Sequence, residues 1–197
     1  MTTRPVTPRK ALNYSEPTLS MIQIRTSTDS DLARITSIYR HHVLAGTGTF
    51  EVDPPSEDEM ATRRIDVLNK NLPYLVAAID GLVVGFAYCN WFKPRPAYRY
   101  SAEDSIYLAN EVQGQGIGRA LLSELSVRAE TAGIRKLIAV IGDSANERSI
   151  GLHHALGFRN VGLITACGWK FDRWLDIVLM EKTLGQGSGT KPEQLKS

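Results

Sequence analysis

No run in this chain approaches the ~18 consecutive apolar residues that a membrane-spanning helix needs, so a helical membrane protein is excluded as a reading. The first twenty residues, MTTRPVTPRKALNYSEPTLS, carry Arg4, Arg9 and Lys10 but no apolar core, and so lack the form of a secretory leader. Excess charge is also missing. The 23 Lys and Arg against 21 Asp and Glu leave a net charge of +2, too small to argue for nucleic acid or a membrane surface as partner. Cysteine is scarce: only Cys89 and Cys167 are present, each inside an apolar strand-like run. That predicts two buried free thiols, no disulfide framework and a cytoplasmic protein. No cluster of His, Cys, Asp and Glu has metal-ligand spacing, so no metal is expected. What is present suits a soluble domain: 43% of the 197 residues are hydrophobic and 22% charged, enough for one sizeable core.

The pattern along the chain alternates in period. Residues 22–25 alternate apolar and polar as a half-buried strand does, and Ser27 to Asp31 then offer helix-capping groups. Leu32, Ile35, Ile38, Tyr39 and Val43 follow at helical spacing. A GTGTF loop leads to Pro54-Pro55, after which Ser56 can cap a second helix over roughly 57–70. Strands at 74–79 and 82–91 are joined by Asp80-Gly81, a hairpin signal. A proline-stiffened loop, KPRPAY, precedes a strand running from near Tyr100 to Leu108. Helices over 116–132 and 146–156 bracket a buried strand at 136–141, and strands at 158–164 and 174–180 end the pattern. The order β-α-α-β-β-β-α-β-α-β-β predicts a mixed sheet with helices on its faces, in one domain over 21–184. Residues 1–20, with Met21 a candidate start, and the polar tail GQGSGTKPEQLKS (185–197) are expected to be disordered.

The stretch VQGQGIGRALL (112–122) gathers three glycines at the mouth of the third helix. Glycine is costly in regular structure, and a helix start offers unpaired N–H groups and a positive dipole end, so a phosphate is the usual guest. A dinucleotide fold would need G-x-G-x-x-G early in the chain, with an acidic residue on the next strand's end. The spacing here differs, the loop falls late, and residues 136–141 supply no acid.

Gln113-x-x-Gly116-x-Gly118 after a strand, together with NERSIGLHHALGF beginning at Asn146, resembles the two cofactor motifs of the GNAT acetyl-CoA-dependent N-acetyltransferases. The resemblance implies an α/β fold with a central, mostly antiparallel twisted sheet, opened between its fourth and fifth strands. It implies that backbone N–H groups over Gln113, Gly114, Gln115, Gly116, Ile117, Gly118 and Arg119 bind the pyrophosphate of acetyl-CoA. The pantetheine arm would lie against Ile106, Tyr107 and Leu108, with Asn146 bonding it from the other side. Within the superfamily, WFKPRPAYRYSAEDSIYLAN (91–110), AVIGDSAN (139–146) and GWKFDRWLD (168–176) resemble the phosphinothricin and methionine sulfoximine N-acetyltransferases.

That closer resemblance implies transfer of acetyl to the α-amino group of a small amino acid such as phosphinothricin, methionine sulfoximine or methionine sulfone. Glu103 would be the general base, directly or through water, since an ammonium cannot attack a thioester until it loses a proton. Asp104 is set aside because strand alternation points it to the opposite face. His153 stands where many members of the superfamily carry a Tyr that protonates the leaving thiolate, a departure that the closer family shares and that implies a His acting as general acid or base, whereas His154 faces elsewhere and His41 and His42 read as plain helix residues. Arg95 would grip the acceptor's anionic group in two parallel hydrogen bonds, with Tyr98, Phe50 and, as a rim charge, Lys93 completing the site. A backbone N–H near Leu108 would stabilise the developing oxyanion. The family implies a homodimer, with the tryptophans of GWKFDRWLD as contributors unless sheet packing buries them. Two alternatives stay open: a non-catalytic acyl-CoA sensor, and an acetyltransferase acting on a peptide N-terminus or another amine.

Overall fold

A computed structural model describes residues 22–192. Seven strands form one sheet in the order β1-β2-β3-β4-β5-β7-β6. They are β1 (Ile22–Thr26), β2 (Tyr74–Ile79), β3 (Leu82–Trp91), β4 (Ser101–Leu108), β5 (Lys136–Gly142), β6 (Arg159–Lys170) and β7 (Arg173–Thr183). Four helices accompany them: α1 (Leu32–Ala45), α2 (Glu57–Asn69), α3 (Ile117–Thr131) and α4 (Glu147–Ala155). The N-terminal expectation for residues 1–20, and Met21, lie outside the described residues. Residues 185–190, expected as part of a disordered tail, form turns, with the Gly187 N–H donating to the Leu184 carbonyl.

Local chemistry explains where the elements begin and end. Asp31 accepts from the Thr28 N–H at 2.7 Å and takes both arms of Arg25 at 2.7 and 2.8 Å, which tightens the turn that opens α1. The Ser56 hydroxyl accepts from the Glu59 N–H and starts α2, just past Pro54-Pro55. Asp80 and Gly81 both adopt positive φ, the backbone of a two-residue hairpin, and join β2 to β3. Ile117, Leu121, Leu122, Leu125 and Ala129 are all 0% exposed, the single stripe that seats α3 on the sheet.

Pairing is antiparallel everywhere except between β4 and β5. That parallel ladder runs only from Ser101↔Lys136 to Asp104↔Ala139 and then stops. Beyond it β4 stays paired with β3 as far as Leu108, and β5 stays paired with β7 as far as Gly142. The sheet therefore forks, and the fork exposes backbone edge. The Ala109 N–H donates to the Val84 carbonyl at 2.8 Å, so odd-numbered β4 residues turn their backbone groups toward β3. Those of Ile106 and Leu108 face the gap.

On the last strands one expectation fails and one alternative falls away. Cys167 is exposed, not buried, because β6 is an edge strand whose residues 159–166 are all exposed; Cys89, in the central strand β3, is buried as expected. Sheet packing does not bury the tryptophans either. Trp169 is 55% and Trp174 62% exposed, edge to face with ring centroids 5.3 Å apart.

Candidate active site

One cavity of about 1080 Å³ fills the fork and spreads to both faces of it. At one end lies the glycine turn. Gly114 and Gly116 have φ near +80°, which glycine adopts without the strain a side chain would bring, and a Cβ on either would meet nothing within 4 Å. The space over that turn is open, and the first N–H groups of α3 have no intrahelical partner. Arg119 and Arg148 line the same end, and Arg148 donates to the Gln113 side chain. A bare backbone turn, a helix N-terminus and two arginines fit a diphosphate.

The predicted nucleotide-side residues divide. Gln113, Gly114, Gly116, Gly118, Arg119, Asn146, Ile106, Tyr107 and Leu108 line the cavity. Gln115 and Ile117 do not: Gln115 reaches back to the Glu111 carbonyl, and Ile117 is fully buried in the core. Gly118 faces a packing constraint, since a Cβ there would sit 3.3 Å from Leu108 and 3.4 Å from Leu152. Asn146 spends its carbonyl oxygen on the Ser149 N–H as the cap of α4. Tyr107 contributes its ring, because its backbone is turned to β3. His42, read from sequence as a plain helix residue, donates from Nε2 to the Leu108 carbonyl at 2.8 Å and fixes that peptide at the fork. Burial lowers the pKa of His42, which keeps the ring neutral and suited to that bond.

At the other end the loop 46–50 forms the wall. Phe50 lies against Gly142 and Gly168, where a Cβ would come within 2.9 and 2.4 Å of its ring. Tyr39, Tyr88, Tyr107, Thr49 and Glu51 surround this end. Glu103, half-buried, also lines it. Burial, and then the neighbouring Asp104 charge, push the Glu103 pKa upward, with Lys93 pulling the other way. A carboxylate made more basic beside an open cavity is what proton abstraction asks for.

The structure does not bring the rest of the predicted acceptor grip together. Lys93, Arg95 and Tyr98 are exposed and none lines the cavity. The proline-rich loop that carries them closes on itself, with Lys93 over the Phe92 ring and Tyr98 edge to face with it.

His153 lies on the cavity wall, but its ring is engaged elsewhere. Its side chain is 2% exposed; Nε2 lies 2.9 Å from Asp104 Oδ2, and Nδ1 lies 2.7 Å from the Ser149 carbonyl. A carbonyl can only accept, so Nδ1 carries a proton and Nε2 shares another with Asp104. With both nitrogens engaged, the ring has no free position from which to assist a leaving thiolate. Asp104, set aside because it faces away from Glu103, is the residue that holds it. Strand alternation turns Asp104 away from Glu103 and toward His153 on the far face. Arg148, two residues after Asn146 at the start of α4, meets the glycine turn through Gln113 across 35 residues of sequence, a contact that spacing alone does not reveal.

A sheet forked at its parallel junction, with an open glycine turn at a helix start on one flank and a half-buried carboxylate on the other, is the frame of an acyl-CoA-dependent N-acetyltransferase. Residues 24–179 match the acetyltransferase (GNAT) domain, and the chain belongs to that family. It is 49% identical over 170 residues, 86% of each chain, to phosphinothricin N-acetyltransferase of Alcaligenes faecalis. It is 34% identical over 163 residues to the L-methionine sulfoximine/L-methionine sulfone acetyltransferase of Salmonella typhimurium, covering 83% of this chain and 95% of that one. The crystal structure of a phosphinothricin acetyltransferase from Sinorhizobium meliloti in complex with AcCoA superposes with a TM-score of 0.85 at 48% identity, over 88% of this chain and 94% of that one. Among the described residues no helix is long and apolar enough to cross a membrane, and no group of three or more His, Cys, Asp or Glu could hold a metal ion.

Proposed function

We propose that this protein transfers the acetyl group of acetyl-CoA to the α-amino group of a small amino acid of the phosphinothricin, methionine sulfoximine or methionine sulfone type. The observation that carries this is the cavity itself. It joins the glycine turn to Glu103 through the fork, so donor and acceptor meet beside one base. Acetyl-CoA supplies the activated acyl group. The turn 113–119, with Arg119 and Arg148, holds its diphosphate, and the edge of Ile106 and Leu108 orients its arm. The Leu108 N–H faces the gap where carbonyl charge develops. Glu103 takes the ammonium proton, directly or through one water. His153 serves by fixing α4 to β4, not by exchanging a proton with substrate.

The test is coenzyme A release with phosphinothricin, methionine sulfoximine, methionine sulfone, free methionine and glutamate. Turnover of at least one of the first three, at a kcat/KM well above that of free methionine, is the expected result. Tight acetyl-CoA binding without turnover of any amino acid would favour the sensor reading instead.

We further assign the working form as a cytoplasmic homodimer. Unpaired cysteines suit a reducing compartment. Val161, Leu163, Ile164, Trp169 and Trp174 are each 45–62% exposed along β6 and the start of β7, a patch of the kind that marks an interface. Light scattering should give twice the chain mass, and Trp174→Asp should return the monomer. A wild-type monomer at micromolar concentration overturns the assignment.

A further inference from the structure

Lys170, the last residue of β6, is 4% exposed, and its Nζ donates to two carbonyls of the acceptor loop, Gly46 and Thr49, each at 2.8 Å. Between and beside those carbonyls, Thr47, Gly48 and Phe50 line the cavity. The ammonium therefore sits one loop thickness behind the acceptor wall.

Its charge has no counter-ion. No carboxylate among the described residues lies within ion-pair distance of Lys170. Glu51 is the facing acid, but its two oxygens are taken by Arg63 at 2.6 and 3.3 Å. Nearby His42 donates from Nε2 to a carbonyl and contributes no compensating negative charge. The Phe171 ring lies 5.0 Å away and stabilises a cation only weakly. Burial drags the Lys170 pKa down, against the pull of Glu51. Burying a cation without a counter-ion is costly, and two neutral carbonyls offset only part of that. A neutral amide could have pinned the loop at lower cost.

The remaining charges of the cavity are sorted by end. Arg119 and Arg148 stand at the glycine turn, and Arg95 lies outside the cavity. On the acceptor side Glu51 and Asp143 are paired with Arg63 and Arg173, Asp104 is paired with His153, Glu103 awaits an ammonium, and Lys170 supplies a buried positive charge with no carboxylate partner.

We propose that Lys170 sets the charge class of the acceptor: behind the loop 46–50, it favours amino acids that carry a second anionic group over those with a neutral side chain. Lys170 is a positioning and specificity residue, acting through the loop and not by contact. The proposal rests on the amino-acid acetyltransferase reading and narrows it. One charge at this range, partly screened, changes affinity on the order of tenfold.

The experiment compares phosphinothricin, whose phosphinate is charged, with methionine sulfone, whose sulfone is neutral. KM and kcat are measured for the wild type, Lys170→Met, Lys170→Gln and Lys170→Arg. In the Met and Gln variants the KM for phosphinothricin should rise about tenfold more than the KM for methionine sulfone. The KM for acetyl-CoA should stay within about twofold, and Arg should restore the wild-type ratio. Equal losses for both acceptors, or full restoration by Gln, which donates without charge, would show a purely structural pin and overturn the proposal. If Met fails to fold, the Gln and Arg pair carries the comparison. If the wild type turns over neither acceptor, the function reading fails separately. Calorimetric binding of glutarate to coenzyme A-loaded wild type and Lys170→Gln then decides the charge question. Weaker binding by the variant supports it; equal binding, or none by the wild type, overturns it.

Discussion

Glu103→Gln lowers kcat by about 10²-fold or more, the scale of general-base catalysis, and leaves the KM for acetyl-CoA close to the wild-type value. The substitution keeps size and hydrogen-bonding capacity and removes only basicity. It therefore separates proton abstraction from packing in a half-buried position that pairs with Asn90 on β3 and Ile138 on β5. The pH dependence gives a second reading. A base works deprotonated, so kcat/KM rises as pH passes upward through its pKa. Burial and the Asp104 charge raise that pKa, so the acid limb should lie above the ordinary carboxylate value of about 4.3. The limb should vanish in the Gln variant and shift further upward in Lys93→Ala, since Lys93 favours the charged form. Stopped-assay kinetics from pH 5 to 9 check all three outcomes. Near-normal turnover by the Gln variant would remove Glu103 from the mechanism.

How much of this was legible in the sequence depends on the range of the forces involved. Elements set by local chemistry were readable nearly to the residue: the strands 74–79 and 82–91 about Asp80-Gly81, the Ser56 cap, and the α3 stripe. The glycine turn was readable because one short segment makes it. What sequence spacing could not carry were side-chain meetings across long separations. Asp104 and His153 are 49 residues apart, Lys170 and Gly46 are 124 apart, and His42 and Leu108 are 66 apart. Each is a polar group on an otherwise ordinary element, and its role follows only once the fork brings the elements together. The exposure of Cys167 is hidden for a related reason. An apolar strand looks alike whether it lies at the centre or at the edge, and strand order is a property of the whole sheet.

Asp104→Ala should destabilise the protein by about 2–3 kcal/mol near pH 6, because it strands a buried imidazole nitrogen and removes a charge-assisted bond. The pH dependence discriminates this from a mere cavity. Burial opposes the His153 imidazolium, but the Asp104 hydrogen bond and charge and the Ser149 carbonyl outweigh it, so the folded pKa is raised. A raised pKa contributes stability that is fully present below the unfolded value, about 6.5, and is lost as pH rises through the folded one. At high pH the neutral ring, still donating from Nδ1 to Ser149, would turn a lone pair toward a carboxylate. Asp104→Asn escapes that conflict, since its amide can donate to Nε2 without a shared proton. The stability gap between wild type and the Asn variant should therefore be widest near pH 6 and narrow toward pH 9 in urea melts. A gap that does not change with pH would mean that no proton is shared. Function should follow the same weld. Helix α4 carries Asn146 and Arg148 to the donor end, so loosening it in Asp104→Ala should raise the KM for acetyl-CoA more than the KM for the amino acid.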